Sequence, residues 1–302
     1  MFGNRPGKVR RMKERVGGKH RNRIPTLMLG ASLLGFLVFY LFPFLFSAFY
    51  ALIDNPIRKE FVGLRNFQEL FKNPYFMTGL KNTVLFIAVS IPLNMALSLG
   101  IAVFVNKRTK FNRFISLIFL IPLVIPSAAT AFFWQNIFSQ HGVLNKFLSL
   151  WGIQGEDWFQ GQYGLAVMVL MFLWKNIGYN MALFISGLNN IPEQYYECAS
   201  VEGAGPLWKF RKVTLTYLTP TTFLVLIMSF VNSFKVFKEI YIITGQYPPD
   251  SLYMLQHFMN NMFLSLDYSR LVSAVYVLTV VIVLLVVCIF RLQHKISAKL
   301  KM

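Results

Sequence analysis

The chain is poor in acidic residues, in histidine and in cysteine, and each scarcity removes a class of function. Only 12 of its 302 residues are Asp or Glu, against 30 Lys or Arg. The four histidines, His20, His141, His257 and His294, stand far apart in sequence with no carboxylate cluster beside them. Neither a metal site nor metal-assisted hydrolysis is therefore expected. Cys198 and Cys288 are the sole cysteines, too few for a disulfide framework or a cysteine-bound metal. A glycine-rich phosphate loop with its Lys and Ser/Thr is also missing. The chain is thus expected to be no enzyme, to bind no cofactor and to draw its energy from a partner.

What the sequence has in excess is apolar: 55% of residues are hydrophobic, too many for an ordinary soluble domain. Six apolar runs, Leu27–Leu52, Asn82–Val105, Phe114–Phe138, Leu165–Leu188, Thr221–Ile243 and Leu271–Phe290, each approach the ~20 residues that cross hydrocarbon. The fold class expected is all-α, a polytopic membrane protein with about six transmembrane helices. Pro43 is expected to kink the first. The formal charge of +18 does not indicate nucleic acid, because the basic residues fall in tails and short loops rather than on a soluble face.

Those basic residues orient the chain. One set comprises the tail with Arg5, Lys8, Arg10, Arg11, Lys13, Arg15, Lys19, Arg21 and Arg23. With it go Lys107, Arg108, Lys110 and Arg113, then Lys209, Arg211 and Lys212, then Arg291, Lys295, Lys299 and Lys301. With six spans all four groups lie on one side, which the positive-inside rule makes cytoplasmic, with both termini. The opposite connections hold Arg58, Lys59, Arg65, Lys72 and Lys146, offset by Asp54, Glu60, Glu69, Glu156 and Asp157. The organisation expected is a basic tail over residues 1–26, a transmembrane domain over 27–291 with a cytoplasmic loop at 189–219, and a second basic tail over 292–302.

That loop is polar between two apolar spans. Its first part suits a helix: Asn190 is a candidate cap, Pro192 needs no amide partner early in a helix, and Glu193 and Glu197 favour the positive N-terminus. Gly203, Gly205 and Pro206 then break it, and a second helix can start at Leu207. The stretch resembles the signature loop of the membrane permeases of binding-protein-dependent ABC importers, in which Glu-Ala-Ala is followed by a glycine and then by apolar positions. Glu197, Cys198 and Ala199 stand for the triplet, Gly203 for the glycine, and Val213 and Leu215 for the apolar positions. Cys198 departs from the middle alanine and Thr216 from the usual proline. Further resemblance in Gly142–Ile153 and Leu173–Pro192 is to the carbohydrate branch, similar to maltose and glycerol-phosphate permeases.

The resemblance implies an ATPase-coupling loop built from Glu197, Cys198, Ala199, Gly203, Ala204 and Gly205. It also implies partners: a second homologous permease, two cytoplasmic ATPase subunits carrying the ATP and magnesium, and an external solute-binding protein. The expected function is import of a carbohydrate, an oligosaccharide with an acidic one included, across the cell membrane by alternating access. An importer of another solute is the alternative. A secondary transporter or channel should instead show inverted repeats or membrane carboxylates for ion coupling, and no clear example of either is visible.

Polar residues inside the spans are costly in lipid and mark an interior or a water-filled path. They are Lys175, Asn176, Tyr179 and Asn180 in the fourth span and Ser229, Asn232, Ser233, Lys235 and Lys238 in the fifth. A sugar path would use their amides and hydroxyls on sugar hydroxyls, with Tyr179 or Trp174 as a stacking face. The resemblance implies substrate contact for Tyr179, Ser229 and Ser233. The competing reading makes the serines and asparagines glue between helices, lets Lys175 and Lys238 snorkel to the interface, and pairs Lys235 with Glu239 one turn onward.

Overall fold

The structure is a computed structural model that describes residues 23–55, 57–106 and 109–300. Residues 1–22, Lys107, Arg108 and Lys301, which carry much of the expected cytoplasmic charge, lie outside the described residues. Helix α1 (Arg23–Phe36) passes through a π-helical turn at Leu37–Leu41 into α2 (Phe42–Ala51), where the Phe42 amide reaches back five residues to the Leu37 carbonyl. Pro43 accounts for the turn, since it has no amide to donate and its ring crowds the carbonyl one turn earlier. The expected kink is taken up as this widened turn, and Leu27–Ala51 runs as one apolar span.

A short helix, α3 (Arg65–Lys72), is tied under the end of α2 by Asn66, whose amide donates to the carbonyls of Ala51 and Ile53 at 2.9 and 2.8 Å. The second span, α4 (Pro74–Val105), begins ahead of the apolar run at Asn82, because Asn73 caps it by accepting from the amides of Tyr75 and Phe76. The third span is not one helix. Lys110–Val124 (α5) ends before Pro126, which forces Ile125 into an extended conformation (ψ 127°), and α6 (Ser127–Phe138) and α7 (Val143–Ser149) leave at 103°. The apolar run Phe114–Phe138 is thus carried by two helices meeting at a corner.

The fourth span, α8 (Gly164–Asn189), is the central post and packs along α4, α5 and α12. At Gly178 it meets α5 backbone to backbone, since an added Cβ would fall 1.8 Å from the Phe119 carbonyl oxygen. The polar loop follows as α9 (Gln194–Val201), α10 (Pro206–Lys209), a π-helical turn at Phe210–Thr214 and α11 (Leu215–Tyr217). A 66° bend leads into α12 (Thr219–Ser233) and α13 (Val236–Thr244), which are themselves separated at Phe234–Lys235. Helix α14 (Leu255–Leu264) precedes α15 (Tyr268–Leu300), so the last helix crosses the expected boundary at residue 291 without a break. Counting each bent pair as one span gives up to six spans, of which four are unbroken.

Two apolar clusters lie along α8. One gathers Phe86, Trp134, Met168, Phe172 and Ile240; the other gathers Ala102, Met181, Phe184, Leu218 and Val225. Between them α8 carries Lys175, Asn176 and Asn180. The core is thus split by a polar layer near the middle of the bundle. Large apolar side chains such as Phe39, Phe104, Phe132 and Leu284 are exposed outside it, as a hydrocarbon solvent permits.

Candidate functional site: a lysine-lined cavity and a polar loop

The polar layer has two parts. The inner part is a buried hydrogen-bonded network. Asn180 is fully buried, and its amide donates to Ser229 Oγ at 2.7 Å and to Asn94 Oδ1, which also accepts from Ser98 Oγ at 3.3 Å. This links α4, α8 and α12 side chain to side chain, which is the glue reading for Ser229, while Asn94 Nδ2 and Asn180 Oδ1 are left without a partner. Ser233, also buried, donates back to the Phe230 carbonyl at 2.6 Å. Asn94 escaped the sequence reading, although its place twelve residues inside an apolar run beginning at Asn82 was the available signal.

The outer part is open. A cavity of about 190 Å³ is bordered by Ser127 and Thr130 from α6, Lys175 and Asn176 from α8, and Asn232, Lys235, Lys238 and Glu239 at the break in the fifth span. Each element is there for a local reason. Pro126 turns α6 inward against α13, and the turn at Phe234–Lys235 replaces regular helical bonding with the tighter Lys235 N–H to Asn232 carbonyl bond at 3.0 Å.

Lys175 forms an ion pair with Glu239 across the cavity and also donates to Ser127 Oγ at 3.4 Å. This overturns two expectations. Lys175 does not snorkel: its side chain is 22% exposed and turns toward the carboxylate. Glu239 does not pair with Lys235, because rotation through the break carries Lys235 onto Asn232 Oδ1 at 2.8 Å. Asn176 lines the cavity and donates to the Phe172 carbonyl at 2.9 Å. Tyr179, half-buried, does not line it. Trp174 is stacked on Phe133 with ring centroids 5.5 Å apart and does not line the cavity.

The loop is a helix, a glycine turn and a second helix. Asn190 closes α8 rather than capping α9, since its amide bonds to the carbonyls of Gly187 and Leu188. After α9 the Gly203 amide bonds to the Ser200 carbonyl and the Ala204 amide to the Ala199 carbonyl, at 3.0 and 2.9 Å. That pattern is a Schellman stop, which needs a left-handed residue at Gly203 (φ +76°). Gly205 is extended ahead of Pro206. Glu197 and Cys198 are exposed while Ala199 is buried, so the carboxylate faces outward from a helix anchored by the alanine. Tyr196 Oη lies 2.8 Å from Thr214 Oγ1 and Lys209 Nζ 2.6 Å from Ser200 Oγ, which tie the two arms together. Val201, Leu207 and Trp208 are exposed on the same loop.

Comparison with known proteins agrees with this architecture. The chain is 33% identical over 275 residues, 86% of either chain, to the probable ABC transporter permease protein YesP of Bacillus subtilis (strain 168). It is 31% identical over 234 residues, 76% of this chain and 74% of the other, to the arabinooligosaccharides transport system permease protein AraP of the same organism. Its fold matches a chain of a bacterial ABC transporter involved in the import of the acidic polysaccharide alginate, with a TM-score of 0.77 at 19% identity over 91% of this chain and 96% of that one. Residues 94–302 match the family described as binding-protein-dependent transport system inner membrane component, and it is to this family of ABC transporter permeases that the chain belongs.

Proposed function

We propose that the chain is the transmembrane subunit of an ATP-driven importer that brings a carbohydrate, an oligosaccharide bearing an acidic group, into the cytoplasm by alternating access. The observation that carries this reading is the cavity, where three lysines meet one carboxylate beside the amides of Asn176 and Asn232. Amides recognise sugar hydroxyls, and the surplus ammonium groups lower the cost of bringing a carboxylate into the bundle. At 190 Å³ the cavity is smaller than the ~300–1,000 Å³ of sites that enclose a whole drug-sized ligand. It suits one ring at a time as a longer sugar passes. Relatives named for oligosaccharide transport support the substrate class.

The family and the missing phosphate loop support a reading of the remaining assembly. A second homologous permease completes the pathway, two cytoplasmic ATPases hold ATP and magnesium, and an external solute-binding protein delivers the sugar. The loop Glu197–Gly205, with Cys198, Ala199, Gly203 and Ala204 inside it, docks on an ATPase through the Glu197 carboxylate and the exposed Val201, Leu207 and Trp208. Ser229 and Ser233 would join the path in another state of the cycle. Both termini and the loop are cytoplasmic.

The test of substrate class is uptake of acidic and neutral oligosaccharides of equal length by Lys235→Gln and Lys235→Arg importers. We expect Lys235→Gln to weaken acidic uptake selectively and Lys235→Arg to retain it; equal loss of both sugars defeats the acidic reading. For docking, Glu197→Lys and Gly203→Asp should insert normally while transport falls. Normal substrate-stimulated ATP hydrolysis in both variants would contradict the role assigned to the loop.

A further inference from the structure

The cavity holds a detail that uptake of an acidic sugar does not by itself require. Glu239 is 3% exposed, its Oε1 accepts from Lys175, and its Oε2 has no partner; Thr130, 1% exposed, also has an unpartnered hydroxyl. Both residues line the cavity. A buried carboxylate oxygen without a donor is costly, and a sugar hydroxyl is a donor of the right kind. The charge arrangement is equally specific. Glu239 cancels Lys175, while Lys235 is held only by a neutral amide oxygen and Lys238 is exposed. Two ammonium groups are therefore available to an incoming anion and the third is committed.

We propose that the Lys175–Glu239 pair is the specificity element of this cavity. Glu239 limits the positive charge that a substrate meets, so that Lys235 and Lys238 accept one carboxylate of a uronate ring while Glu239 Oε2 accepts a hydroxyl of the same ring. The pair is the internal counterweight, and the two flanking lysines are the anion subsite. This rests on the acidic-carbohydrate reading above, and it predicts a sign that the reading alone does not. Removing Glu239 strengthens the preference for acid, whereas removing Lys175 weakens it, although each variant breaks the same ion pair. A merely structural pair would give both variants the same phenotype.

The experiment compares uptake of trigalacturonate with uptake of its methyl ester, which keeps the sugar and deletes the charge, in cells carrying the complete importer. In the Glu239→Gln importer the acid-to-ester ratio should rise about tenfold, the size expected for one unit charge acting over roughly 10 Å at an effective dielectric near 20. The KM for the ester should rise as well, because the hydroxyl acceptor is weakened. In Lys175→Gln the ratio should fall by a similar factor, and in the double variant Lys175→Gln/Glu239→Gln it should return to the starting value. Should Glu239→Gln not reach the membrane, Lys175→Gln and the double variant carry the test. An acid preference that Lys235→Gln abolishes but that none of these variants shifts overturns the role of the pair and leaves the acidic reading standing. A starting importer without acid preference overturns both.

Discussion

At the scale of single residues, polarity in the spans was legible and pairing was not. Lys175, Asn176, Asn232 and Lys235 stand out in an apolar text, and all four border the cavity. The identity of Glu239's partner was out of reach, because Lys175 lies on a different helix and sequence spacing sees only neighbours on one helix. Ser229 illustrates the other limit, since a serine reads alike whether it meets a sugar or an asparagine. Its bond to Asn180 predicts that Ser229→Ala lowers stability by about 0.6 kcal/mol, the mean for such bonds between membrane helices. Thermal unfolding in detergent would measure it; an unchanged melting temperature would remove the glue role.

His257 offers a second residue-level prediction. It is fully buried on α14, its Nδ1 accepts the Met254 amide at 3.1 Å, and it packs on Phe237 and Tyr253. Burial pulls its pKa from 6.5 down to about 4. The unfolded segment takes up a proton first, so this contribution is whole above pH 6.5 and is lost as pH falls toward 4. Its size is up to about 3 kcal/mol. Amide protection factors in Leu255–Leu264, taken relative to intrinsic exchange at each pH, should fall on acidification across that window. Equal protection at both ends of it would refute the account.

At the scale of elements, helix breakers in the sequence marked several irregularities but not their form, and the break at Phe234–Lys235 has no Pro or Gly to announce it. Pro43 became a π-turn, Pro126 a 103° corner and Gly203 a left-handed helix stop. Proline removes a donor wherever it stands; whether the chain widens, turns or stops depends on what packs alongside. Close approach is the clearest case. Gly178 looks like any helical glycine in sequence, yet the Phe119 carbonyl lies where its Cβ would be, while Gly100 has nothing within 4 Å. Gly178→Ala should therefore separate α5 from α8 at a cost of about 1–3 kcal/mol. Gly100→Ala should be neutral or stabilising by roughly 0.5–1 kcal/mol. Melting temperatures of the two variants side by side test the contrast, which fails if they shift alike.

At the scale of the whole molecule, the two cysteines report on orientation. Both are free and exposed, but Cys198 sits on the polar loop and Cys288 in the sixth span among exposed Leu284, Val287 and Phe290. A membrane-impermeant maleimide should label Cys198 in inside-out vesicles and leave it untouched in intact cells, and Cys198→Ser should abolish the signal. Labelling in intact cells would invert the topology.

Composition and order along the chain sufficed for a membrane protein of about six spans, a polar helix-glycine-helix loop and polar residues set within the fourth and fifth spans, because crossing hydrocarbon imposes length and polarity on each segment separately. What only the tertiary structure decided was which polar groups meet. The corner at Pro126 and the break at Phe234–Lys235 bring α6, α8 and α13 around one cavity. They give Glu239 to Lys175 and leave Lys235 with a neutral partner. In a low-dielectric interior, the energy of a charge is set by the few groups within several ångströms of it, and those groups come from segments far apart in the chain.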